Sequence, residues 1–366
     1  MSAAPTMGVG ERNGLPIPLT LEDATSPEWL GIALQDQLQD AVIESTSVGG
    51  TIHGVATKAI VDVTYQGQVP ADLPSSFCVK AGYEPHNVHL LEGGAYSREA
   101  RFYRDLAPQV QVSTPRIFLA DYDVATNQGV LLMENLNQRG VTFGDAQRGF
   151  TPDEAAKVLT ELSKLHAGAW NATSTGAYDW VPSVLTSLAS PELLFTEERL
   201  RELLDGPRGE ELPDGARDPK RLRAGIQALR ERNDASPHCL LHGDTHVRNM
   251  YLDADGVPGL YDWQTIQLGR WSLDVAYFLG VSLDVDDRET TVRELLSHYR
   301  DELRARGVEP PSAEQSWEWY RESIVYGYYL WVMTREIVQP LDVITTFVTR
   351  LGGALDEAGT YEALGV

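Results

Sequence analysis

The stretch Leu240-Leu241-His242-Gly243-Asp244-Thr245-His246-Val247-Arg248-Asn249, followed by Leu260-Tyr261-Asp262-Trp263-Gln264, decides how this chain is read. It sets an aspartate, an asparagine five positions on, and a second aspartate after a short interval. Loop aspartates and asparagines most often cap helices or close turns, so spacing alone carries little. The surroundings narrow the reading. Cys239, Leu240 and Leu241 form an apolar run ahead of the motif, and an apolar-flanked strand carries Asp262. Between them, Asp253-Ala254-Asp255-Gly256 ends in Asp-Gly, a strong hairpin signal. Asn249 and Asp262 are thereby expected on or beside two paired strands, able to face one ion. These are the groups that phosphoryl transfer needs. One carboxylate orients a hydroxyl and takes its proton, while an amide and a second carboxylate hold magnesium on nucleotide phosphates.

The Asp-x-x-x-x-Asn spacing is that of kinase catalytic loops, and Asp262 stands where kinases carry the aspartate of Asp-Phe-Gly. His242-Gly243-Asp244 through Asn249, then the strand with Asp262, resembles the aminoglycoside phosphotransferase and choline kinase superfamily. Gly269-Arg270-Trp271-Ser272-Leu273-Asp274-Val275-Ala276-Tyr277-Phe278-Leu279 looks like the helix start that follows there. Asp-Trp-Gln together with Leu-Asp-Val-Ala-Tyr-Phe-Leu is most similar to the CHK kinase-like, or ecdysteroid kinase-like, branch. The resemblance covers most of the chain. It implies an α/β (α+β) protein-kinase-like two-lobed fold, with a small β-rich N-lobe, a larger mainly helical C-lobe and nucleotide in the cleft. It also implies roles. Asp244 is the base, Asn249 and Asp262 bind magnesium, and the main chain of Glu134 and Leu136 meets adenine. His242 and Asp274 support the catalytic loop.

The order of elements along the chain agrees with that outline. Residues up to about Thr25 read as a flexible polar arm, residues 26–135 as the N-lobe and 136–366 as the C-lobe. Ser26-Pro27-Glu28 opens a helix running to about Asp40. Strands follow at 41–46, 55–65 and 77–80. Between the first two, Gly49 and Gly50 could let backbone N–H groups approach phosphates, or could simply turn a hairpin. Lys80 closes an apolar run. Such a lysine is usually a solvent-facing edge charge, but in kinases the third strand supplies a lysine that binds phosphates and pairs with a helix glutamate. Glu99 is the expected partner, on a helix patterned by Tyr96, Ala100, Tyr103 and Leu106. Glu92 competes, but Gly93-Gly94 follows it. Thr151-Pro152-Asp153-Glu154 starts a further helix whose His166 reads as a packing residue.

Composition sets outer bounds. The chain has 366 residues, 42% of them apolar, and a formal net charge of -23. That charge argues against a nucleic-acid partner and against docking on anionic membranes. No run is long and apolar enough to cross a bilayer. Cys78 and Cys239 read as free thiols, which fits a reducing cytoplasm. No signal-peptide pattern and no obligate protein partner are evident.

The expected function is ATP- and magnesium-dependent phosphorylation of a hydroxyl on a small, largely apolar alcohol. A protein substrate fits poorly, because the helix from Trp271 follows Asp262 too closely for an activation segment. Three alternatives stay open: an aminoglycoside or other antibiotic phosphotransferase, a choline or amino-alcohol kinase, and a non-catalytic nucleotide-binding module. The expectation of an apolar acceptor rests on the Trp and Tyr residues between Trp317 and Trp331. Trp317, Tyr320, Ile324, Tyr328 and Trp331 share a helical face and read as core. Asp284, Asp286, Asp287, Glu318 and Glu322 read as solvated charges and not as a polycation site.

Overall fold

The computed structural model describes residues 7–11, 14–190 and 193–366. It divides into two compact units. The first takes the described residues up to Gln109, Thr114–Val141 and Asp262–Gln264. The second takes Val110–Ser113, Thr142–Tyr261 and Thr265–Val366. The boundary is therefore not a single point near residue 135. Three residues of the motif segment, Asp262 among them, return to the first unit.

In the first unit, β1 (Met7–Val9) and β2 (Pro16–Pro18) form a small antiparallel pair. The expected flexible arm is corrected here for its described part. Gly10 bridges to Asp123, Ile17 is fully buried, and the Trp29 indole donates to the Pro16 carbonyl at 2.8 Å. Apolar Ile17 and Pro16 give this segment something to bury, which outweighs its polar appearance. Residues 1–6, Arg12 and Asn13 of that arm lie outside the described residues.

The main sheet has five antiparallel strands in the order β3-β4-β5-β7-β6. They are β3 (Val42–Ile52), β4 (Thr57–Gln66), β5 (Ser76–Ala81), β6 (Ile117–Tyr122) and β7 (Gly129–Glu134). Alternation decides what each face does. Ala59, Val61 and Val63 of β4 and Phe77, Val79 and Ala81 of β5 enter one core. The helix Pro27–Ala33 packs into the same core through Trp29, Leu30 and Ala33. Ser26 caps that helix by accepting from the Trp29 N–H. Lys58 and Lys80 fall on the other face.

The glycine-rich turn expected around Gly49 and Gly50 is also corrected. Both lie inside β3, where the register shifts between Val48 and Gly50. A glycine there lets the strand bulge and bend instead of ending it. The reversal comes later, between Ile52 and Thr57.

The second unit is mainly helical. Its helix Pro152–Gly168 begins with a full capping box between Thr151 and Glu154. Cys239–Leu241 pairs antiparallel with Gln267–Gly269, and Met250–Leu252 pairs with Pro258–Leu260. The helix Ser272–Ser282 is buried along its whole length. It packs against Ala313–Met333, which also packs on Pro219–Asp234 and Leu341–Glu357. A helix with neighbours on several sides is apolar all round. This is why Tyr326 and Tyr329, off the expected stripe, are fully buried beside Ile324 and Tyr328.

Candidate active site

Lys80 sits on β5 with its side chain only 3% exposed. Its ammonium lies 2.7 Å from Glu99 Oε2 and 2.9 Å from Asp262 Oδ1. Glu99 belongs to the helix Ala95–Arg101, which continues through a widened turn at Phe102–Leu106. Its Oε1 also accepts the Trp263 N–H at 3.0 Å, and the Trp263 ring stacks on Phe102 at 3.8 Å. One helix thus holds both the lysine and the segment carrying Asp262. Asp262 adopts φ +70°, a left-handed backbone that a non-glycine residue rarely takes. Such local strain persists only where surrounding contacts over-determine it. Burial alone would raise the Asp262 pKa, but Lys80 and then Lys58 outweigh it and hold the carboxyl below its usual range.

Glu134 is the last residue of β7, and its N–H is spent on the Arg116 carbonyl at 2.9 Å. A tight turn, Leu136–Arg139, follows at once. Gly50 faces open space, whereas a Cβ at Gly49 would meet Asp62 Oδ2 at 3.4 Å.

In the second unit, the catalytic-loop stretch is braced from below by Asp274. Its carboxylate accepts the His242 N–H at 2.7 Å and the Gly243 N–H at 2.8 Å, and meets His166 Nε2 at 3.2 Å. Its carbonyl accepts the Thr245 hydroxyl. Gly243 takes φ +81°, and a Cβ there would collide with the Thr265 carbonyl at 2.3 Å. Only glycine fits. The His242 ring spans the loop: Nδ1 accepts the Asp244 N–H and Nε2 donates to the Tyr261 carbonyl at 3.0 Å. Asp274→Ala would leave the His242 and Gly243 donors buried without an acceptor. At about 1–3 kcal/mol for each such group, we expect a loss of about 2–6 kcal/mol. A chemical-denaturation midpoint unchanged from wild type would contradict this.

Asp244 itself is held on both oxygens. Tyr277 donates to Oδ1 at 2.8 Å, and Asn249 Nδ2 donates to Oδ2 and to the Asp244 carbonyl, each at 3.0 Å. Trp331 Nε1 in turn donates to the Tyr277 hydroxyl at 2.6 Å. An indole N–H can only donate, so the Tyr277 proton must point at Asp244. His246 Nε2 lies 3.4 Å from Oδ2. Burial pushes the Asp244 pKa up, but His246, His242 and Tyr277 outweigh it and hold it below the usual value. The carboxylate is therefore ionised at neutral pH and ready to accept a proton.

The donor chemistry fits magnesium and a nucleotide. Asn249 turns its Nδ2 end to Asp244, so its carbonyl oxygen is the end left for a hard cation. Asp262 is an anionic carboxylate. Among the described residues, no group of three or more His, Cys, Asp or Glu side chains could hold a metal alone.

Several contributors are not evident from the motifs. Lys58 reaches Asp262 Oδ2 at 3.2 Å. Tyr277 lies three residues after Asp274, hence on the same helix face one turn on, which is a signal the sequence does contain. Tyr326 donates to the Gly243 carbonyl at 2.8 Å. Glu322, expected to be a solvated charge, is buried against Arg270 at 2.7 Å and also pairs with Arg232. A buried guanidinium needs a carboxylate, and Glu322 is the one within reach. The aromatic residues from Tyr320 to Trp331 are interior packing, and Trp331, by its hydrogen bond to Tyr277, and Tyr326, by its ring contact with Tyr277, connect them to Asp244.

Comparison with known proteins adds three findings. A family model described as the phosphotransferase enzyme family matches residues 92–308, more than half of the chain. No curated protein matches. Solved structures are similar over nearly the whole length. A microcompartment-associated aminopropanol kinase is 12% identical, with 91% of this chain and 97% of that chain covered and a TM-score of 0.50. A GDP complex of an aminoglycoside 2'-phosphotransferase-IIIa mutant is 13% identical, with 91% and 97% covered and a TM-score of 0.49. A Plasmodium vivax ethanolamine kinase is 12% identical, with 87% and 83% covered and a TM-score of 0.48. At such identities the likeness speaks to the fold: a kinase-like one, with a β-sheet N-lobe and a helical C-lobe.

Proposed function

We propose, from the premise that the chain belongs to the phosphotransferase enzyme family, that it phosphorylates a hydroxyl of a small, largely apolar alcohol, using ATP and magnesium. One observation carries this reading. Asn249 holds both the carbonyl and the carboxylate of Asp244 through its Nδ2, which presents its amide oxygen beside an ionised base. Bound magnesium–ATP would supply the phosphoryl group and neutralise the charge that develops on it.

The roles then follow for each residue. Asn249 and Asp262 hold the metal. Lys80 holds phosphates and is oriented by Glu99. The main chain of Glu134 and Leu136 receives adenine, and Gly50 leaves backbone near the phosphates unobstructed. Asp244 Oδ1, bonded once by Tyr277, keeps a lone pair for the acceptor hydroxyl and takes its proton. Asp274 and His242 keep the loop in shape. All these groups are present, which speaks against a non-catalytic module. Asp262-Trp263-Gln264 and Leu273–Leu279 support a likeness to the CHK kinase-like branch. Among the described residues, no helix is long and apolar enough to cross a membrane. A cytoplasmic setting, where ATP is at hand, suits the two free thiols.

The acceptor reading is supported by the rings near Asp244. His246 lies 5.3 Å from Trp331 and 5.7 Å from Phe347, centroid to centroid, and Tyr277 bonds the carboxylate itself. A polycationic aminoglycoside would want free carboxylates. Glu322 is committed to Arg270 and Arg232, and Asp284 pairs with Arg350. An amino alcohol is the second reading, because the same rings could face an ammonium. The test is magnesium-dependent ADP release with apolar alcohols, amino alcohols and aminoglycosides as acceptors. Efficient turnover of aminoglycosides alone would overturn the acceptor proposal.

A further inference from the structure

Lys58 and Lys80 stand directly opposite each other on β4 and β5. Directly opposed residues have Cβ atoms about 4.5–5.5 Å apart, and like charges so placed repel. The strand pattern sends both to the face away from the apolar core, which holds Ala59, Val61, Val79 and Ala81. The arrangement is tolerated because an anion is shared between them. Asp262 takes Lys80 on Oδ1 at 2.9 Å and Lys58 on Oδ2 at 3.2 Å. The two ammoniums differ in their exposure. Lys80 is 3% exposed and clamped by Glu99 as well, whereas Lys58 is 27% exposed. Asp262 cannot follow either lysine, because Trp263 anchors its segment to Glu99 and Phe102.

We propose that Lys58 is a second phosphate-binding cation of the nucleotide site, working beside Lys80. The inference rests on the reading that Lys80 and Asp262 attend the nucleotide's phosphates. A divalent cation on Asp262 would put four positive charges around one carboxylate and Glu99. Repulsion of that size moves the more exposed ammonium, and the anions brought by the same ligand are the phosphates. Lys58 has the chain length and the solvent access to turn to them, while Lys80 stays fixed between its two carboxylates. The rival role is that of a plain counter-ion to Asp262.

The two roles separate in nucleotide binding with magnesium present. Dissociation constants for ADP and for adenosine, measured calorimetrically with magnesium, are compared for wild type, Lys58→Met, Lys58→Arg and Lys80→Met. We expect Lys58→Met to weaken ADP about ten- to a hundred-fold, the range of one charge-assisted hydrogen bond. Adenosine, which has no phosphate, should bind as in wild type, and Lys58→Arg should recover most of the ADP affinity. The proposal is overturned if Lys58→Met binds ADP with magnesium like wild type, or if adenosine weakens equally. An intact Lys58→Met beside a weakened Lys80→Met would sink the Lys58 role and leave the nucleotide reading standing. A wild-type protein that binds no ADP would sink both.

Discussion

Asp244→Asn should lower turnover by about 10²–10⁴-fold, the usual cost of removing a general base, and leave ATP affinity nearly unchanged. The substitution keeps the size of the side chain and can still accept from Tyr277. It removes the charge and the lone pair that receive the acceptor's proton. Since Asp244 Oδ1, bonded once by Tyr277, is the oxygen left for the acceptor, its loss should be felt mainly by the acceptor, and Asn249 still keeps its bond to the main-chain carbonyl of residue 244. Steady-state kinetics separate the two. A fully active variant would end the base assignment. A variant whose only defect is a raised KM for ATP would place Asp244 on the wrong substrate.

Asp262→Asn should be nearly as damaging, for a different reason. Loss of a group that merely orients a metal ligand already costs about 10–100-fold in metal affinity or activity. A direct ligand should cost at least about 100-fold in magnesium-dependent turnover. The amide would also lose most of its attraction for Lys80 and Lys58, which now rest on its two oxygens. Titrating magnesium against ATP binding and against rate checks this. An unchanged magnesium dependence in both would remove Asp262 from the metal site.

Much of this was legible in the sequence because the chemistry is local there. Asp244 and Asn249 are five residues apart in one loop, and a hairpin marked by Asp253 and Gly256 brings the chain back to Asp262. Lys80, at the end of an apolar run, and Glu99, on a helically patterned segment, were picked out by the resemblance to kinases. The same resemblance implied the sheet-rich and helical lobes, and the order of elements agreed with it. Other features depend on distant segments meeting. Lys58 opposite Lys80 is a matter of strand register, and the loop from Gly67 to Ser75 that sets it carries no decisive turn signal. Trp331 and Tyr326 reach the catalytic loop only because two buried helices pack together. Glu322 reads as solvated in the sequence because its buried partner, Arg270, lies 52 positions away. Gly49 and Gly50 misled because a bulge and a turn call on the same residue type.

The most direct test of the central claim is phosphorus NMR of the protein with magnesium, ATP and each class of acceptor, run for wild type and Asp244→Asn side by side. The account predicts a new phosphate-monoester resonance that grows with ADP, requires the acceptor, and is lost in Asp244→Asn although that variant still binds ATP. It is contradicted if wild type binds ATP yet forms no phosphomonoester with any class of acceptor, or if Asp244→Asn forms it as fast as wild type.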